Sequence, residues 1–62
     1  MFRAHTSVWF EDGTICCIVR ADGTSVDVQT IGTGSMHDVR RVPIRHGAIR
    51  LYGVDLTPWD FE

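Results

Sequence analysis

The chain has 62 residues, a formal charge of −2 and 44% hydrophobic side chains. That length permits one domain, which buries about 60% of its unfolded surface for a net core stabilisation of ~3–5 kcal/mol, so oligomerisation is a live option. The charge lacks the basic balance of a general nucleic-acid binder, and no apolar run approaches the roughly 20 residues of a bilayer span.

Residues 1–10 alternate, with Phe2, Ala4, Thr6, Val8 and Phe10 on one side, and predict a first strand. Asp12-Gly13 and Asp22-Gly23 follow, ten residues apart. Asp-Gly between alternating runs is the strongest short hairpin signal, because a two-residue type I′ loop needs positive φ at both centres. The two turns predict a meander whose central strand covers residues 14–20 and whose third covers 25–31. With each Asp-Gly at a loop centre, Val8 pairs with Cys17, Phe10 with Ile15, Val19 with Val26 and Cys17 with Val28. The expected core is therefore Val8, Phe10, Ile15, Cys17, Val19, Val26 and Val28. On the other face Trp9, Cys16 and Ile18 form an outward apolar island. Such an island is an anchor for a partner or is covered by a later segment.

Gly32-Thr33-Gly34-Ser35 interrupts the pattern as a plain connection, without the length or the lysine of a phosphate-binding loop. In residues 36–44 Val42 and Ile44 share a phase that Val39 breaks, which predicts a bulge near Arg40-Arg41. Pro43 cannot donate to a ladder, so this strand lies at an edge. Arg45-His46-Gly47 reads as a short turn, and residues 48–56 as a fifth strand bent at Gly53. Pro58 fixes the approach of the tail, residues 57–62, which is expected to lie extended and ordered with Trp59 largely buried. The fold class expected is all-β: a single domain over residues 1–62, a five-stranded antiparallel meander curling into an SH3-like or OB-like barrel. An open sheet that dimerises is the alternative.

Cys16 and Cys17 are adjacent, so in a strand they point apart and cannot bridge each other. Reduced cysteines favour a cytoplasmic setting, and residues 1–10 lack the cationic and then apolar pattern of a secretory leader. His5, Cys16, Cys17, His37 and His46 lack zinc-knuckle spacing, and no nucleophile has a positioned base, so neither metal, cofactor nor enzymatic activity is expected. Arg40, Arg41, Arg45, His46 and Arg50 are the candidate anion-binding residues, since guanidinium forks hold phosphates and carboxylates. The competing role for them is protection of an edge strand by charge. All six basic residues are arginine, with no lysine and no asparagine, a usage that reads as GC-rich coding in a bacterium or its phage. The function expected is a non-enzymatic protein-binding module, a small phage- or mobile-element-type accessory or inhibitory protein acting on a host protein. Its contact residues are Trp9, Cys16, Ile18, Trp59 and Phe61. The alternatives are nucleic-acid binding through residues 37–50, or an obligate homo-oligomer pairing through edge strands.

Overall fold

Both Asp-Gly sites turn the chain in the structure, but neither is a type I′ loop. The computed structural model describes residues 1–32 and 38–62; the predicted connection 33–35 and the candidate ligand His37 lie outside them. At the first site Gly13 alone has positive φ, 91°. Gly13 N–H donates to Phe10 C=O at 3.0 Å and Phe10 N–H to Thr14 C=O at 2.8 Å. Glu11, Asp12 and Gly13 thus form a three-residue loop, with Asp12 Oδ1 accepting from Thr14 N–H at 2.9 Å; this loop class shifts the register by one against the two-residue class. At the second site Asp22 Oδ1 accepts from the N–H groups of Thr24 (2.7 Å) and Ser25 (2.9 Å) and from the Thr24 hydroxyl (3.0 Å). Those bonds hold its carboxyl below the usual carboxylate range.

Among the described residues the strands are β1 (Ser7–Trp9), β2 (Ile15–Ala21), β3 (Ser25–Ile31), β4 (Val39–Pro43), β5 (Ile49–Leu51) and β6 (Val54–Leu56), followed by a 3-10 turn, Pro58–Asp60. The first strand is shorter than expected, because residues 4 and 5 already turn, with His5 at φ 69°. β1 to β4 form one antiparallel sheet in chain order, and β5 and β6 form a second. No closed barrel joins the two sheets among the described residues.

The register overturns the expected face of the central strand. Val8 pairs with Cys16, Cys16 with Thr30 and Ile18 with Val28, while a bulge between Ile18 and Arg20 returns Ala21 opposite Val26. The bulge adds one residue, so side chains on its two sides change parity relative to β3. Cys16 and Ile18 are accordingly 0% exposed, whereas Val19 is 41% exposed and Cys17 half-buried. The inward residues of the flanking strands, Val8, Phe10, Val26 and Val28, stand where the pattern placed them.

The bulge expected near Arg40-Arg41 does not form: β4 pairs with β3 without a break from Ser25–Pro43 to Gln29–Val39, and Val39 stays outward. The expected fifth strand is a hairpin instead. Tyr52 and Gly53 both have positive φ, 51° and 77°, and Leu51 pairs with Val54 across them. That is the two-residue loop geometry sought at the Asp-Gly sites. Arg45 and Ala48 exchange two bonds, at 2.8 and 3.0 Å, over His46 and Gly47 at φ 53° and 75°. This second tight turn carries the chain from β4 to β5. Ile49, Leu51 and Leu56 then cover the inner face of the large sheet together with Phe2 and Phe61.

Candidate functional site

Burial separates the five residues expected at a partner surface. Cys16 and Ile18 belong to the core, so the outward island of Trp9, Cys16 and Ile18 does not exist. Cys16 Sγ lies 3.8 Å from Thr30 Oγ1, and burial pushes its thiol above the ordinary cysteine value. Phe61 is buried too, edge-on against Phe2 with ring centroids 5.9 Å apart. Trp59, expected inside, is 92% exposed. The tail is nonetheless built in: Thr57 N–H donates to Asp60 Oδ2 at 2.7 Å, which caps the 3-10 turn. Glu62 and Ser7 exchange backbone bonds at 2.9 and 3.0 Å. Pro58 and this cap hold Trp59 on a turn whose neighbour Phe61, and not Trp59, enters the core.

Trp9 remains, 73% exposed at the end of β1. Across the outer face of the large sheet it pairs with Ile15, and Ile15 with Ile31. The next row on the same face holds Ser7, Cys17, Gln29 and Val39. Ile31 and Val39 are exposed large apolar residues. Alternation along β3 already sets Ile31 on this outer face, whereas the bulge expected near Arg40-Arg41 would have turned Val39 inward. Beyond the edge of β1 a cleft of about 500 Å3 opens toward β6, lined by Val8, Trp9, Phe10, Tyr52, Val54 and Leu56, with Glu11 and Asp12 at its acidic end. Tyr52 is fixed there. Its hydroxyl donates to Thr30 Oγ1 at 3.2 Å, and its ring meets Phe10 edge-on at 5.7 Å, with the Arg40 guanidinium 5.4 Å over its centroid. A Leu-Tyr-Gly-Val stretch read as a two-residue loop would have placed Tyr52 and Val54 at this cleft.

The arginines do not converge. Alternation along unbroken β4 sends Arg40 to the inner side, over Tyr52, and Arg41 to the outer face. Arg41 Nε donates to Asp27 Oδ1 at 3.1 Å, and Arg50 Nη1 to Asp55 Oδ1 at 3.0 Å across the β5–β6 pair. Arg45, His46 and Arg50 line a separate cleft of about 480 Å3 with Val42, Pro43, Ala48, Ile49 and Asp55. No group of three or more His, Cys, Asp or Glu gathers among the described residues as metal ligands would, and no helix among them is long and apolar enough to cross a membrane. No known protein family, curated protein or solved structure matches the chain.

Proposed function

We propose that this chain is a non-enzymatic protein-binding module, a cytoplasmic accessory or inhibitory protein of phage or mobile-element type that acts on a host protein and is anchored through Trp9. The curl of its strands is of the SH3-like or OB-like kind, left open on one side. The observation that carries the reading is the exposure of Trp9 at the junction of two apolar surfaces, the Ile15–Ile31 row and the cleft toward β6. A chain of this size has little apolar area to spare, and a large aromatic left in water beside other apolar groups is the usual anatomy of an interface centre.

Affinity capture from a host lysate treated with nuclease tests it. A stoichiometric protein partner should be retained by the wild-type chain and by Trp59→Ala, and lost with Trp9→Ala. Loss of all bound material on nuclease treatment would favour the second reading, anion or nucleic-acid binding at the cleft of Arg45, His46 and Arg50. Binding of that kind weakens steeply with salt. A stable multimer in solution with no captured partner would favour homo-oligomerisation through edge strands.

A further inference from the structure

We propose that the cleft between β1 and β6 accepts an extended segment of a partner protein, with apolar and basic side chains in alternation, which adds as a strand between the two open edges. The proposal rests on the protein-binding reading above and specifies how that contact is made.

The backbone is the first ground. Phe10 N–H and Thr6 C=O bond across to β2, to Thr14 C=O and Ile18 N–H, each at 2.8 Å. In an antiparallel ladder the residues between such positions turn their backbone groups to the opposite edge. At Ser7 that edge is taken by Glu62, so β1 already receives an added extended chain on this side. At Trp9 the same groups have no partner among the described residues. On the facing strand Leu51 and Val54 close the two-residue loop, so the same alternation turns the N–H and C=O of Asp55 away from β5, to the open edge. Each edge offers a donor and an acceptor in strand geometry.

The lining is the second ground. Apolar and aromatic side chains form the walls, which suits every other side chain of an added strand. Charge is the third. Glu11 and Asp12 stand at one end of the cleft and no cation among the described residues lines it; Arg40 is held over the Tyr52 ring. A lysine or arginine at the end of the incoming segment completes that pairing, whereas a carboxylate there is repelled.

Amide spectra of the full chain, isotopically labelled, provide the test, with an acetylated and amidated peptide of alternating valine and lysine as the probe. The Trp9, Val54 and Asp55 amides are expected to shift. Methylating either alternate set of the peptide's backbone nitrogens should weaken binding about tenfold, the effect of losing a hydrogen bond. Exchanging lysine for glutamate, or introducing Val54→Arg in the protein at this exposed position, should weaken it by about the same factor or more. Shifts confined to the Cys17, Gln29 and Val39 row, methylated peptides that bind as well as the parent, or no binding at all would each overturn the strand-addition mode. The capture experiment separates the two readings. A Trp9-dependent partner alongside an inert peptide removes the strand slot and leaves the protein-binding function standing; failure of both removes both.

Discussion

At the scale of single residues the central strand teaches the most. Ile15, Cys16, Cys17, Ile18 and Val19 are apolar at every position, so alternation cannot choose a face for them, whereas Val26 and Val28 alternate with Ser25, Asp27 and Gln29 and are legible as inward, and Val8 and Phe10 keep the phase of Phe2, Ala4 and Thr6. Loop length alone decides β2, and Asp-Gly is compatible with a two-residue type I′ loop, with the three-residue loop found at Gly13 and with the side-chain-bonded turn found at Asp22. Two adjacent substitutions read the outcome. Ile18→Asp places an unpaired carboxylate in a site with no solvent access, a cost of several kcal/mol against a total stability of about that size. It should leave no cooperative thermal transition. Val19→Asp, at the exposed bulge, should melt cooperatively close to the wild type. The reverse result would restore the register in which Cys17 and Val19 point inward.

Among elements, the tail and the last hairpin departed most from the pattern. Tyr52 takes a positive φ that bulky residues rarely adopt, and it is held there by the Thr30 bond and the edge contact with Phe10. No local signal in residues 48–56 announces that tertiary support, so one bent strand was the natural reading. Tyr52→Phe removes only the hydroxyl and its bond, and should lower stability by about 1 kcal/mol in a denaturant titration. An unchanged midpoint would mean that the ring contacts alone fix the loop. In the tail, the order of residues 57–62 was legible from Pro58 and the two aromatics, but which ring turns inward depends on the 3-10 turn and its cap. Phe61→Ala should cost about 3 kcal/mol, the usual loss for a buried phenylalanine, while Trp59→Ala should leave the melting temperature unchanged. Equal effects of the two would place both rings in the core.

For the molecule as a whole, an all-β chain with an arginine-bearing edge strand was readable from turn spacing, alternation and Pro43. The division into sheets of four and two strands was not. It depends on the corner at His46-Gly47 and on backbone pairing between Ser7 and Glu62, neither of which leaves a mark in side-chain periodicity. The surface ion pairs Arg41–Asp27 and Arg50–Asp55 are open to solvent and contribute little. Cohesion therefore rests on the small core. The Ser7–Glu62 pair also bears on the order of folding, since it joins residues separated by nearly the whole chain while the meander is made of sequence neighbours. Closing so long a loop costs entropy before any contact repays it, so the meander forms first and the tail docks last. Run backwards in the native state, undocking of the tail is the least costly partial opening. The Ser7 amide should therefore exchange with solvent well before that of Val28; equal protection of the two would mean that the molecule opens only as a whole.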